Sequence, residues 1–264
     1  MGRIRNDILR RAGLVVRDVI DPVRVAPRDG GDDRGGVKCW GYNQDGALGN
    51  GSQTSSSIPV EVTGFASGGV DVSMGYQTVC ARTSTGSVRC WGIVFDEIGG
   101  HLQTVAGTVE DVSDAVVLSA GGSGACARSD ASSGVFCWGN NQWGQLGNDS
   151  TTTSTSGVYV EGSTFMSLVS AGTNHACGVV LGAAVCWGHN QYGTLGNGTT
   201  SNSSVPVGVT GLGAGVADIE SGNVHTCAVT TAGAVHCWGR NTRGQLGIDP
   251  DVDGSLVPVE VVGL

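Results

Sequence analysis

One acidic segment has the spacing of a calcium-binding loop. Its ligand positions would be Asp249, Asp251, Asp253 and Glu260. They match D-x-D-x-D-G-x5-E, in which oxygen ligands wrap Ca²⁺ and the glycine, here Gly254, permits a sharp turn. However, Pro258 lies inside the segment, and its neighbours resemble strands rather than helices. The segment is therefore either a calcium loop or a solvated acidic turn, and the sequence predicts no other cofactor.

Histidines are the other candidates for chemistry. Of the five in the chain, His175 and His225 occupy equivalent positions in a repeat, which predicts that both bond backbone at a turn. The chain has no G-x-S-x-G, H-E-x-x-H or P-loop motif. Paired carboxylates are sparse outside the acidic segment. We therefore expect no catalytic residue and no enzymatic activity.

Eight of the nine cysteines form four closely spaced pairs, at separations of 10, 11, 9 and 10 residues. The pairs are Cys80/Cys90, Cys126/Cys137, Cys177/Cys186 and Cys227/Cys237. Such spacing places both cysteines opposite each other across a hairpin, within reach of a disulfide. Reduced, buried cysteines are an alternative, and metal ligation lacks the usual Cys-x-x-Cys spacing. Cys39 remains as a predicted free, buried thiol, with Val25 at its partner position.

A repeat of about 50 residues organises the chain. Cys-Trp-Gly recurs at Cys39, Cys90, Cys137, Cys186 and Cys237, in steps of 51, 47, 49 and 51 residues. Four copies continue as N-x-x-G-x-L-G, and the copy after Trp91 lacks this segment. Short, β-branched segments bounded by Gly, Asn and Ser predict three or four strands per unit. This pattern predicts an all-β fold, a β-propeller with one repeat per blade.

The unit resembles the regulator of chromosome condensation repeat, in the cysteine-containing form common in bacterial proteins. The resemblance covers residues 37–264 and rests on G-x-x-H-x-C-A followed by C-W-G-x-N-x-x-G-x-L-G. It implies a propeller that usually has seven blades. Because 228 residues hold only four to five such units, we expect an incomplete propeller, with a small five-bladed ring as the alternative. Unpaired blade edges would then favour self-association.

Framework and variable positions can be separated within the repeat. The tryptophans Trp40, Trp91, Trp138, Trp187 and Trp238 recur at one position, which predicts packing between blades. The third residue of N-x-x-G-x-L-G instead changes from copy to copy, and is Asp45, Trp143, Tyr192 and Arg243. Tryptophan, tyrosine and arginine are enriched in protein-binding hot spots. A shared rim that binds protein is one interpretation, and a turn that tolerates any residue is the other.

Residues 1–36 differ from the rest of the chain. They hold eight of the 14 basic residues, mixed with acids and without the apolar core of a signal peptide. We expect a poorly ordered leader, or degenerate strands supplied by Leu14–Ile20 and Val23–Ala26. Residues 37–264 carry six basic and 17 acidic side chains, about −11 in charge. This charge argues against nucleic acid as a partner, and no apolar run is long enough to insert into a membrane.

The leading functional expectation is a non-enzymatic module that binds an unknown protein partner outside the cytoplasm. Disulfides indicate an oxidising compartment, namely the cell surface, the periplasm or the medium. A truncated start would explain why no signal peptide is recognisable. A guanine-nucleotide exchange factor or chromatin-associated regulator is the alternative implied by the resemblance. A hydrolase or lyase, and a structural array of stacked repeats, are weaker alternatives.

Overall fold

The computed structural model describes residues 24–26, 35–96, 98–130, 134–249 and 251–263. For residues 24–26 only the backbone is described. These residues form strands, turns and loops, without a helix. Consequently, no helix in the described part of the chain could cross a membrane.

The described residues form nineteen strands in five sheets, which follow one another in chain order. The first sheet contains β1 (Arg24–Ala26), β2 (Gly36–Gly41) and β3 (Ser56–Glu61). The second sheet contains β4 (Gly69–Met74), β5 (Thr78–Thr83), β6 (Val88–Asp96) and β7 (Gly99–Thr108). The third sheet contains β8 (Ala115–Ala120), β9 (Gly124–Ser129), β10 (Gly134–Gly139) and β11 (Ser154–Tyr159). The fourth sheet contains β12 (Met166–Ala171), β13 (His175–Val180), β14 (Ala183–Gly188) and β15 (Ser203–Gly208). The fifth sheet contains β16 (Val216–Ser221), β17 (His225–Thr230), β18 (Val235–Arg240) and β19 (Gly254–Glu260).

Every sheet is an antiparallel meander, so each sequence repeat supplies the strands of one blade. The first strand of each complete blade lies against the first strand of the next, in the series β4, β8, β12 and β16. The first blade has three described strands and the other four have four. This confirms the predicted all-β propeller with four to five blades. Of the leader, only Arg24–Ala26 and residues 35–36 are described, and Leu14–Ile20 lies outside the described residues.

Serine hydroxyls join the first strands of neighbouring blades. Ser73 Oγ accepts a hydrogen bond from the amide N of Ala120, 2.8 Å away, and Ser119 and Ser170 repeat this contact with the following blades. In the fifth blade, Glu220 takes this position, because it pairs with Cys227 as Ser170 pairs with Cys177. No hydrogen bond or strand pairing joins the fifth sheet to the first among the described residues. The arrangement is that of an incomplete propeller.

Tryptophans fill the space between blades. Trp91, Trp187 and Trp238 are fully buried, and each indole Nε1–H donates to a backbone carbonyl of the preceding blade. The three acceptors are the carbonyl oxygens of Ala47, Gln145 and Thr194, at 2.8, 2.9 and 2.8 Å. Each acceptor directly precedes the leucine of N-x-x-G-x-L-G, and this leucine packs in the same apolar cluster as the tryptophan. One turn therefore supplies both the polar and the apolar contact that hold two blades together.

A buried asparagine holds each such turn in place. The four residues are Asn43, Asn141, Asn190 and Asn241, all without solvent exposure. In the fourth blade, Asn190 Oδ1 accepts from the amide of Leu195 at 2.9 Å, and its Nδ2 donates to the carbonyls of Thr199 and Ser201. Asn43, Asn141 and Asn241 repeat the pattern in the first, third and fifth blades. Because burying an unpaired amide is costly, the asparagine fixes the turn to the loop that follows it.

Four disulfides link the second and third strands of the complete blades. They join Cys80–Cys90, Cys126–Cys137, Cys177–Cys186 and Cys227–Cys237, with Cα–Cα distances of 4.0 to 4.1 Å. In each case the two cysteines are directly opposite in the strand pairing. Closing a loop of about ten residues contributes roughly 2–3 kcal/mol in the chain-entropy model.

Cys39 is a free, buried thiol, and burial raises its pKa to about 12. The prediction that Val25 lies opposite Cys39 is wrong, because Val25 pairs with Val37. The register of a hairpin is set where its strands close, and this one closes with Ala26 opposite Gly36.

Alkylation of the oxidised protein under denaturing, non-reducing conditions should modify one cysteine of nine. The disulfides protect eight thiols and unfolding exposes the ninth, so intact mass measures the count directly. In a Cys39→Ala variant no cysteine should react. Modification of all nine in protein purified from an oxidising compartment would contradict the disulfide assignment.

Candidate binding rim

The variable residues lie in a tight turn at one end of the first, third, fourth and fifth blades. In the third and fourth blades, the amides of Gly144 and Gly193 donate to the carbonyls of the buried Asn141 and Asn190, which closes a four-residue turn. Both glycines have positive φ, and a Cβ at either would come within 2.6 Å of the next blade. The turn thus fixes the residue before the glycine at the edge of the propeller.

All four predicted rim residues lie in such turns at the surface, Asp45 in the first blade and the other three in the third, fourth and fifth blades. Trp143 is 38% exposed, Arg243 is exposed, and Tyr192 and Asp45 are half-buried. The amide of Trp143 donates to Gln145 Oε1 at 2.9 Å, and that of Arg243 donates to Gln245 Oε1 at the same distance. These side-chain bonds hold the turn beneath the rim residue.

The rim residues contact one another through a second variable position. The ring centroids of Trp143 and His189 are 4.9 Å apart, and those of His189 and Tyr192 are 6.3 Å apart. The guanidinium carbon of Arg240 lies 5.1 Å from the centre of the Tyr192 ring, within the range of a cation–π contact. We call this row, Trp143–His189–Tyr192–Arg240, the aromatic ladder. It runs across the third, fourth and fifth blades.

Sequence reasoning missed His189 and Arg240. Both occupy the position between C-W-G and the buried asparagine, which also changes between copies and is Tyr42, Asn140, His189 and Arg240 in the four complete turns. That variation was the signal available. Asp45 does not join the ladder, because its blade is followed by the second blade, where Ile93 stands at the corresponding position.

Burial lowers the pKa of His189. A neutral imidazole at neutral pH leaves Arg240 as the charged group within the ladder and Arg243 as its charged neighbour. A surface of this kind offers flat aromatic faces and guanidinium donors on a rigid support.

His175 has a structural position beneath this edge. Its Nε2 is 2.9 Å from the hydroxyl of Thr226 in the next blade, and that hydroxyl donates to the carbonyl of Thr194. Because the hydroxyl hydrogen is used in that bond, the imidazole Nε2–H is the donor to Thr226. The expected bond to backbone is therefore replaced by a bond to a side chain. Burial is the largest cause that lowers the pKa of His175 to about 3, and the charges of His225 and His189 add to the effect.

The acidic segment does not fold as a calcium loop. Gly254–Glu260 is strand β19, and Glu260 pairs with His236 at its far end. Seven residues of extended chain separate Glu260 from Asp253 by about 20 Å. Among the described residues, no group of three or more His, Cys, Asp or Glu side chains is placed to hold a metal ion.

The stacked four-stranded sheets and their tryptophan-sealed junctions define a β-propeller with blades of about 50 residues. A model of the "Regulator of chromosome condensation (RCC1) repeat" matches residues 34–82, 132–179, 182–229 and 232–264, and a second model of the same repeat matches residues 216–245. These matches cover more than half of the chain, which therefore belongs to the RCC1 repeat family. The main model leaves out residues 83–131, the region of the degenerate second copy.

Known proteins agree with this assignment. The ultraviolet-B receptor UVR8 of Arabidopsis thaliana is 29% identical over 231 residues, which are 83% of this chain and 52% of UVR8. Prp20p of Saccharomyces cerevisiae shares the fold with a TM-score of 0.71 at 21% identity, over 87% of this chain and 61% of that one. Human WBSCR16 does so with a TM-score of 0.72 at 25% identity, over 88% and 63%. This chain spans about half the length of UVR8.

A His175→Gln variant should remove part of the acid sensitivity of the fold. The imidazole pKa is about 6.5 in the unfolded chain and about 3 in the folded one. Between these values the unfolded chain binds one more proton, so stability falls as pH falls, by about 1.4 kcal/mol per pH unit.

Denaturant unfolding from pH 7 to pH 3.5 measures this effect. The wild-type free energy of unfolding should decrease more steeply than that of His175→Gln, whose amide retains a donor for Thr226. Parallel curves for the two proteins would show that His175 is not buried as a neutral group.

Proposed function

We propose that this chain is a non-enzymatic module that binds a partner protein through the aromatic ladder, outside the cytoplasm. The observation that carries the proposal is the ladder itself. Four residues from variable positions form one continuous row of tilted, edge-on and cation–π contacts, whereas the framework beneath them repeats from blade to blade. A turn that merely tolerates any residue would not require its side chains to contact each other across blades.

The support beneath the ladder favours tight recognition. Each ladder residue is next to or within a turn that a fully buried asparagine holds to its loop. Contacts along the ladder also limit the rotamers of Trp143, Tyr192 and Arg240 before any partner arrives. Preorganised side chains lose less conformational entropy on binding, so a larger share of the contact energy contributes to affinity.

Charge gives the partner a chemical character. Arg240 and Arg243 lie at the fifth-blade end of the rim, on a chain whose residues 37–264 carry about −11. We infer that the partner offers an acidic side chain to these guanidiniums and an apolar or aromatic surface to Trp143 and Tyr192. Arginine binds carboxylates in a bidentate geometry, which would set the orientation of the complex.

The compartment follows from the disulfides. Four disulfides in one chain are typical of proteins from oxidising environments. The proposal therefore places the module at the cell surface, in the periplasm or in the medium.

A nuclear or cytosolic regulator is the alternative. Prp20p was characterised for binding to Gsp1p and histones, and it shares the fold with this chain. An exchange factor of this type would bind a small GTPase with its thiols reduced. The acidic charge of residues 37–264 opposes contact with DNA, because nucleic-acid binding depends on Lys and Arg that neutralise phosphates.

Replacement of the ladder aromatics should abolish partner binding without unfolding the protein. The experiment captures proteins from the extracellular fraction of the source cells on immobilised wild-type chain, then purifies the captured partner and titrates it by calorimetry. Trp143→Ala and Tyr192→Ala should each weaken its affinity about 10- to 100-fold, because exposed aromatic anchors dominate interface energies.

Leu181→Ala is the matched control. Leu181 is 79% exposed at the turn between β13 and β14, at the opposite end of β14 from His189. Its replacement removes a similar exposed apolar side chain from the same blade and should leave affinity unchanged. A partner that binds the Trp143→Ala/Tyr192→Ala double variant as tightly as wild type would refute binding through the ladder. Accelerated nucleotide release from a purified GTPase would support the exchange-factor alternative.

A further inference from the structure

The second blade differs from the others at its outer hairpin. After Trp91 the chain lacks N-x-x-G-x-L-G and continues directly as β6 to Asp96, then returns as β7 from Gly99. The structure has a long two-stranded hairpin where the other blades have a compact turn and loop. The missing turn is the one that seals the junction with the next blade.

The other described junctions show what this turn contributes. The indoles of Trp91, Trp187 and Trp238 each receive a carbonyl oxygen, and a leucine follows directly in the chain. Those leucines, Leu48, Leu146 and Leu195, are almost completely buried in the same clusters as the indoles. At these three junctions, the space beside the indole is therefore filled by a carbonyl oxygen and an adjacent isobutyl group.

At the junction of the second and third blades both groups are missing. Trp138 is 3% exposed, and its Nε1–H has no hydrogen-bond partner among the residues that the structure describes. Its apolar cluster contains no leucine from a turn. The other positions of the cluster are kept, since Val88, Cys90 and Val109 occupy the repeat positions of residues that pack around Trp91 at the preceding junction. A cavity of about 110 Å³ lies beside the indole.

The lining of this cavity indicates what it would accept. Val94, Phe95 and Val109 supply apolar wall, and His101 is the one ionisable side chain among the described lining residues. His101 is engaged with Asp96, 3.1 Å from its Nδ1. The volume is less than the roughly 150 Å³ of an engineered protein cavity that binds benzene. An uncharged group the size of one side chain fits these conditions.

We propose that this cavity, which we call the Trp138 cavity, is a binding site for a small uncharged ligand with a carbonyl oxygen next to a branched aliphatic group. The carbonyl accepts the indole hydrogen of Trp138, and the aliphatic group occupies the place that leucine takes at the other junctions. The ligand pairs a buried donor that is otherwise unsatisfied, which contributes specificity as well as affinity. The site is separate from the aromatic ladder and does not depend on the partner proposed above.

N-Acetyl-L-leucinamide is the probe, because it reproduces the carbonyl and leucine of the missing turn. Its acetyl carbonyl and isobutyl group would enter the cavity, which is open to the surface, and its carboxamide would stay outside. The protein is labelled with ¹⁵N at its tryptophan indoles, and the six indole N–H signals are followed during titration. The signal that is absent in Trp138→Phe should move saturably, with half-saturation at about 1 mM, as expected for a ligand of this size. The signals of Trp91, Trp187 and Trp238 should stay in place, because their hydrogens are already bonded.

Two controls distinguish a binding site for this ligand from a cavity that only holds water. N-Acetylglycinamide keeps the carbonyl but lacks the aliphatic group, and it should bind at least about 10-fold more weakly, since an isobutyl group is worth several buried methylenes. Val94→Phe narrows the cavity from its apolar wall and should abolish the shift while the other indole signals remain. Equal shifts with both amides, or no shift up to the solubility limit, would overturn the proposal and assign the Trp138 hydrogen to water.

Thermal unfolding tests whether each variant is folded. Trp187→Phe breaks a bond to the Gln145 carbonyl and should lower Tm by several degrees, because it leaves a buried carbonyl with one partner fewer. Trp138→Phe breaks no such bond and should lower Tm less. Addition of N-acetyl-L-leucinamide should raise the Tm of wild type but not that of Trp138→Phe. A rise in both would place the ligand elsewhere and overturn the proposal.

Discussion

A four-stranded sheet has two faces, and a single blade of this chain has too few residues to cover both. The structure meets this constraint with the N-x-x-G-x-L-G turn, which in the first, third and fourth blades places a leucine and a carbonyl against the tryptophan of the next blade. The buried asparagine, the glycines of the turn and the following loop all serve to hold that pair in position. The stability of each blade therefore depends on its neighbour, as in other repeat proteins.

Contacts at the blade junctions stabilise the fold, so the residues of the rim can differ from one repeat to the next. The residues of the aromatic ladder sit on turns whose geometry is fixed from below, so their identity can change without loss of the core. The same separation explains the second blade. Its compact turn is absent, yet its disulfide and strand pairings are kept, and the loss appears as a cavity and an unpaired indole rather than as an unfolded sheet.

Much of the fold could be predicted from spacing alone. Recurrent Cys-Trp-Gly and its flanking segments determine blade number, and the constant pairing of cysteines at 9 to 11 residues determines which strands are neighbours. Contacts between blades were harder to predict. His189 contacts Trp143 and Arg240 contacts Tyr192 because adjacent blades bring different repeats together. The local sequence pattern of one repeat does not indicate which residues of the next repeat lie beside it. The acidic segment matches the residue pattern of a calcium-binding loop. Such a loop must curve around the ion, whereas this part of the chain is extended as strand β19.

Each disulfide closes a hairpin within one blade, and none of the four joins two blades. Under tension between the chain ends, such a molecule would yield one blade at a time, since only non-covalent contacts hold one blade to the next. A released repeat of about 50 residues would keep its locked loop closed and lengthen by only roughly 40 residues, about 140 Å of contour. In an oxidising environment the molecule would thus behave as a chain of short, separately extensible units, and reduction would lengthen each unit without changing their number.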